Sequence, residues 1–192
     1  MKFLIMSDLH GGAKEAEIIL DNFNKFACDA IILLGDLLNH GPRNNIPKTY
    51  NPSELATLLN QYSDKIIAIR GNCDSEVDSM LFNFPCNAPY SYIFAKKDNK
   101  VQKIFLTHGH LFDIDDLNVV KKIGLKKGDI VLSGHTHIQG IFKLDTGVIN
   151  INPGSTTIAK GGTKKGFAIM DDTGVFLYDI DANLIGSHLF FD

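Results

Sequence analysis

Three short apolar runs separated by helical patterns dominate the opening third of the chain and restrict its fold more than any other feature. Phe3 to Met6 reads as a buried strand. An amphipathic helix over Lys14 to Phe26 follows, with Ile18, Ile19, Phe23 and Phe26 on one face. Ala30 to Leu34 is a second strand, and Asn39 to Pro52 a loop rich in Asn, Pro and Gly. Ser53 is the expected N-cap of a helix carrying Leu55, Leu58 and Leu59, and Lys65 to Ile69 is a third strand. This βαβαβ order favours parallel strands with right-handed crossovers.

The remainder is richer in strands. Tyr90 to Ala95 and Lys103 to Thr107 are joined by the polar turn Lys97-Asp98-Asn99-Lys100. A short helix over Asp115 to Ile123 precedes strands at Ile130 to Ser133, Ile141 to Leu144 and Val148 to Asn150. A closing hairpin pairs Phe167 to Asp171 with Val175 to Ile180 around Asp172-Thr173-Gly174. These elements predict an α/β sandwich: two sheets face to face with helices outside, one domain over residues 1–192.

A chain of 192 residues buries roughly 70% of its unfolded surface, enough for a core without staples. The net charge of −3 gives no basic field for nucleic acid or an anionic membrane. Cys28, Cys73 and Cys86 are odd in number and widely spaced, which excludes a disulfide framework and suits a reducing cytoplasm. The apolar run before Ser7 is too short for a signal peptide, and no stretch approaches a membrane span. The expectation is a soluble, cytoplasmic protein.

The chemistry-bearing residues directly follow apolar strands: Asp8 and His10, then Asp36, then Asn72, then His108, then His135 and His137. Five strands thus deliver seven donors to one edge, where ligands bind in α/β sheets. Imidazole with carboxylate suits first-row divalent metals. Gly35, Gly71, Gly109 and Gly134 let the backbone turn tightly beside them. A lone Asp-x-His is ordinarily a surface loop and a lone strand-end Asp a cap. Five successive coincidences are a pattern. Seven donors exceed one tetrahedral zinc but suit two metals sharing a carboxylate.

The blocks Asp8-x-His10, Gly35-Asp36, Gly71-Asn72-x-Asp74, His108 and Gly134-His135-x-His137 resemble the calcineurin-like metallophosphoesterase superfamily. Within it the chain is similar to the small bacterial phosphodiesterase branch and its archaeal relatives over essentially its whole length. The runs Gly41-Pro42-Arg43-Asn44, Arg70 to Asp78, Leu106 to Phe112 and Asn152-Pro153-Gly154-Ser155 carry the closest likeness. The resemblance implies a two-sheet β-sandwich flanked by helices (four-layer αββα) and a hydrolase of phosphodiester bonds. It implies one metal on Asp8, His10, Asp36 and His137, and a second on Asp36, Asn72, His108 and His135. Two divalent ions are implied, manganese first, with iron, zinc or nickel as alternatives. The nucleophile would be a hydroxide held between them.

One position departs from most of the superfamily, which carries His after Gly-Asn where this chain has Cys73. A thiol is a poorer proton donor than imidazole, so Cys73 is read as favouring diesters with acidic leaving groups, against the alternative that it only packs. Asp36, Asn72, Cys73, Asp74 and His108 form the expected catalytic set. Asp74 is either an acceptor orienting a neighbour or a plain turn residue.

His110 is placed near substrate, with a loop cap as the alternative, and Arg43 near a phosphate oxygen. His40 and His188 are read as ordinary surface residues. Asn152 to Ser155 are expected along the pocket, and Lys160 to Lys165 in a solvated loop. Apolar residues near Met80 to Phe84 are candidates for an oligomer contact, a lid or a core segment. The expected partner is a small phosphodiester, with no membrane, and the charge counts against nucleic acid. Rival readings are a monoesterase, a nuclease, a nucleoside-tetraphosphate hydrolase, or a scaffold that binds without hydrolysing.

Overall fold

A computed structural model describes residues 1–191. The first sheet holds β1 (Phe3–Met6), β2 (Ala30–Leu33), β3 (Ile66–Ala68), β9 (Gly166–Met170), β10 (Gly174–Asp179) and β11 (Leu184–Leu189) in the order β11-β10-β9-β1-β2-β3. The second holds β4 (Tyr90–Lys97), β5 (Lys100–Thr107), β6 (Ile130–Leu132), β7 (Gly140–Lys143) and β8 (Ile149–Asn152) in the order β4-β5-β6-β8-β7. Strands β1, β2 and β3 are parallel, as are β5, β6 and β8.

Strands buried on both faces need apolar residues at every position, which explains why β1, β2 and β6 are uninterrupted apolar runs. Alternate residues divide between two cores. Phe3, Ile5, Ile32, Leu34, Ile104, Leu106, Ile130 and Leu132 pack between the sheets. Leu4, Met6, Ile31 and Leu33 face α1 (Ala13–Lys25) and α2 (Pro52–Asn60). On the far side, Phe105 and Val131 pack with Val120 of α3 (Leu117–Lys122). The result is the four-layer αββα sandwich. Each fully buried Leu or Ile in these layers contributes about 1.5–3 kcal/mol.

Several local expectations change. Asn51, not Ser53, caps α2, its side chain accepting from Glu54 N–H, while Pro52 occupies the first turn where no N–H is needed. Ile18 is exposed, because the helix turns its stripe toward Ile19, Leu20 and Phe23. The strand expected at Val148 to Asn150 runs over Ile149–Asn152. The hairpin of β9 and β10 does not close the sheet: β11 follows, and its mixed exposure gives little apolar periodicity. His188 lies in β11 and is half-buried. Phe82 and Phe84 belong to the core, whereas Met80 and Leu81 are exposed. Among the described residues, no helix is long and apolar enough to cross a membrane.

Candidate metal centre

The backbone beyond β1 and β2 continues side by side after the strands stop. Asp8 N–H donates to Gly35 O, His10 N–H to Asp36 O, and Gly11 N–H to Leu37 O, all at 2.9–3.0 Å. Asp8, His10, Asp36, His135 and His137 all hold positive φ, between 43° and 68°. Left-handed backbone at residues with a Cβ costs on the order of 1–2 kcal/mol each, and such strain gathers at functional sites. Here it ends each strand abruptly at a donor side chain.

Two close approaches need glycine. A Cβ on Gly71 would fall on the Asp36 backbone and carboxylate, and one on Gly134 would fall on the Ser7 hydroxyl and the Asp8 carboxylate. These contacts bring the β3 loop against the β2 loop, and the β6 loop of the second sheet against β1 of the first.

The side chains of Asp8, His10, Asp36 and His108 are 0–3% exposed. Asp8 Oδ2 accepts from Ser7 Oγ (2.7 Å) and His135 N–H (3.0 Å), while Oδ1 is buried with no hydrogen-bond partner among the described residues. Around that oxygen lie His137 Nε2 at 3.2 Å, His10 Nε2 at 3.8 Å and His108 Nε2 at 3.9 Å. Asp36 Oδ2 is 3.4 Å from His108 Nε2 and 3.7 Å from His10 Nε2. Its Oδ1 accepts from Cys73 N–H at 2.7 Å.

The imidazoles are oriented from behind. Nδ1 of His10 donates to Asn39 O (2.7 Å), that of His108 to Leu34 O (2.7 Å), and that of His137 to Ile158 O (2.6 Å). A carbonyl only accepts, so Nδ1 carries the hydrogen and, in the neutral ring, Nε2 presents a lone pair inward. His10 and His137 then face each other Nε2 to Nε2 at 3.1 Å. A contact at that distance, beside two buried carboxylates, is satisfied by a shared proton or by a metal ion between the two nitrogens. His135 adds another donor, its Nδ1 buried and without a hydrogen-bond partner among the described residues.

The protonation tendencies reflect the same anionic centre. Burial opposes charge on His108, yet Asp36 and Asp8 outweigh it and lift the imidazole to about 9. Burial also opposes ionisation of Asp36, but His108 and the Cys73 N–H hold its carboxyl far below the ordinary range. His10 and His135 are pushed down chiefly by burial. Cys73 is pushed up to about 12, first by burial and then by Asp36.

The sequence model of the calcineurin-like phosphoesterase superfamily domain matches residues 1–174. The chain belongs to that superfamily. It is thereby a hydrolase acting on phosphoric ester bonds, in a superfamily that works with divalent metal ions. The chain is 40% identical over 172 residues to Phosphodiesterase YfcE of Escherichia coli (strain K12), spanning 90% of this chain and 88% of that one. A probable metallophosphoesterase of Methanothermobacter thermautotrophicus is 28% identical, over 81% of this chain and 77% of its own. The solved structure of the E. coli phosphoesterase Yfce superposes with a TM-score of 0.88 at 37% identity, covering 99% of this chain and 100% of that chain.

Of the residues picked from the sequence, Asp8, His10, Asp36, His108 and His137 converge at the distances given above. Asn72 is exposed at the edge, its Oδ1 3.1 Å from His108 Nε2 and its Nδ2 donating to Cys73 Sγ at 3.2 Å. Cys73 is half-buried, with its sulfur near His10 and Asp36. Asp74 points away from the convergence, accepting three backbone N–H groups instead. His110 is exposed and packs 5.3 Å from the His108 ring. His40 packs edge-on to Tyr50.

A cavity of about 600 Å³ opens over the centre, with Arg43, Asn44, Cys73 and Lys160 on its walls. Two expectations are corrected here. Asn152 to Ser155 do not line this cavity but brace it from behind: Asn152 Nδ2 donates to Gly134 O, and Ser155 Oγ to Asp8 O at 2.7 Å. Lys160 to Lys165 is not merely solvated, since Lys164 pairs with Asp179, Lys165 pairs with Glu15, and Lys160 reaches the cavity. Lys160 was indistinguishable in sequence from its neighbours, because only the carboxylates opposite separate the three.

Proposed function

We propose that this chain is a phosphodiesterase that works with two divalent cations. The observation that carries the reading is the convergence of three carbonyl-anchored imidazoles on two buried carboxylates, one with an orphaned oxygen. The likeness to a named phosphodiesterase supports the diester class. In this reading Asp8, His10, Asp36 and His137 hold one ion, Asn72, His108 and His135 the other, and Asp36 is shared. Manganese is the first metal to test, with iron, zinc and nickel as alternatives. When bound, such a pair makes hydroxide available near neutral pH and offsets charge on the phosphoryl oxygens.

The chain's own groups do the rest. Asp8 and Asp36 supply the fixed negative charge, and Asn39, Leu34 and Ile158 hold the three rings by their Nδ1–H groups. Cys73 lines the cavity over the centre, and in this reading it faces the departing alcohol, to which a thiol donates a proton poorly near neutrality. Diesters whose alcohols leave without much help are therefore favoured over monoesters. We further propose one domain over residues 1–192, in the cytoplasm, acting on small diesters rather than nucleic acid strands.

The test is to strip the protein of metal and assay bis-p-nitrophenyl phosphate and p-nitrophenyl phosphate with manganese restored, alongside Asp36→Asn. Metal-dependent diester cleavage lost in the variant is the expected result. Bound metal without cleavage of either ester would overturn the reading.

A further inference from the structure

Three lysines sit within six residues on the loop before β9, and the fold treats them differently. Lys164 Nζ meets Asp179 Oδ2 at 2.8 Å, and Lys165 Nζ meets Glu15 Oε1 at 2.8 Å. Lys160 has no ion-pair partner among the described residues, and it lines the cavity over the centre. Arg43, on another wall of that cavity, is equally without a carboxylate partner among the described residues. Both segments are fixed to the centre. Lys160 N–H donates to His137 O at 3.1 Å, and Asn39, four residues before Arg43, accepts from His10 Nδ1. The turn carrying Arg43 is closed by Asn44 N–H donating to Gly41 O at 3.1 Å.

Arg43 and Lys160 are both exposed and line the same cavity without a carboxylate partner among the described residues, so both are free to take an anion carried by the substrate. The phosphoryl group being cleaved is a monoanion in a diester, and the centre itself accommodates it. The cations on the walls therefore answer to additional charge elsewhere on the substrate. A carboxylate would offset one of them. A phosphate monoester carries about −1.5 to −2 near neutrality and offers three acceptor oxygens, enough for both. Arginine's fork and lysine's point charge are each suited to it.

Resting on the phosphodiesterase reading, we propose that Arg43 and Lys160 form a subsite for a second phosphate. The preferred substrates are then small phosphodiesters bearing a terminal phosphate on one arm. The space of about 600 Å³ accommodates a nucleotide-sized arm.

The experiment compares thymidine 3′,5′-bisphosphate with thymidine 5′-monophosphate by calorimetry on the manganese-loaded protein. It also compares their 5′-p-nitrophenyl esters, with and without the 3′-phosphate, as substrates. Wild type should bind the bisphosphate about tenfold more tightly, the scale of two charge-assisted contacts at a partly open site, and favour the phosphorylated ester in kcat/KM by a similar factor. Arg43→Met and Lys160→Met should each reduce that advantage, and the double variant should bring it to about twofold or less, the residue of general electrostatics. A bisphosphate bound no better than the monophosphate overturns the subsite, as does an advantage that survives in the double variant. Hydrolysis of neither ester would count against the phosphodiesterase reading, while the binding comparison would still decide the subsite.

Discussion

Asp74 holds the backbone of Asp36 from outside the centre: its Oδ2 accepts the Asp36 N–H at 2.8 Å and the Gly71 N–H at 2.7 Å, while Oδ1 accepts from Leu37 N–H at 2.7 Å. One carboxylate thus fixes the loops after β2 and β3 to each other. Asp74→Ala strands three backbone donors that water can reach only partly, and groups that orient ligands in this way typically govern metal affinity by about 10–100-fold. We expect a loss of that order in manganese affinity by titration calorimetry, with a lower Tm. Asp74→Asn keeps one acceptor oxygen and should fall between. An Ala variant that binds metal like wild type would show that Asp74 only shapes a turn.

Gly134 is a second such constraint, set by space rather than bonding. A Cβ there would collide with the Ser7 hydroxyl and come within 2.6 Å of Asp8 Oδ2, both buried. Gly134→Ala should abolish metal-dependent hydrolysis and lower Tm. Gly128→Ala provides the comparison, because its Cβ would meet nothing within 4 Å although φ is +87°. That change should cost only the left-handed backbone penalty of about 1–2 kcal/mol and leave hydrolysis intact. Gly134 itself is outside the left-handed region, so a Gly134→Ala variant that keeps metal-dependent hydrolysis would mean that the approach of the two sheets does not set the requirement.

Ser155 ties the segment before Lys160 to the centre. Its Oγ donates to Asp8 O at 2.7 Å and accepts from Thr157 N–H and Ile158 N–H, and Ile158 O in turn orients His137. Ser155→Ala leaves these buried and partly buried groups short of partners, a loss of about 1–3 kcal/mol in stability. The more telling readout is weaker manganese binding, by several-fold, because both Asp8 and His137 lose their brace. Destabilisation with unchanged metal affinity would confine Ser155 to packing.

Much of this arrangement was legible in the sequence because burial imposes it. Strands covered on both faces must be apolar throughout, so Phe3–Met6, Ala30–Leu33 and Ile130–Leu132 announced themselves, and the donors after them inherited a common edge. What could not be read were relations between distant segments. Ser155 as a brace, Asp74 as a clasp and Lys160 as a cavity wall depend on partners 37 or more residues away, or on the absence of any. Strand β11 escaped because an edge strand exposed along one side needs no apolar rhythm. Ser53 and Asn51 are both competent cap types, and Pro52 in the first turn fixes the cap two residues before Ser53, at Asn51.

Asp179, at the end of β10, offers a pH test remote from the centre. Burial opposes its ionisation, but Lys164 Nζ and the donors of Asn183 outweigh this and hold the carboxyl at about 2, against an ordinary 3.8. A pKa depressed by folding means stability that is fully present above the unfolded value and disappears as pH falls through the folded one. The difference in urea midpoint between wild type and Asp179→Asn should therefore be constant from pH 7 to about 5 and shrink between about 4 and 2. Lys164 is 67% exposed, so its share should weaken in added salt, whereas the Asn183 contacts, made by backbone and amide donors, should persist. A midpoint difference that ignores pH across that window would mean that Asp179 acts through packing of the β10–β11 turn rather than through its charge.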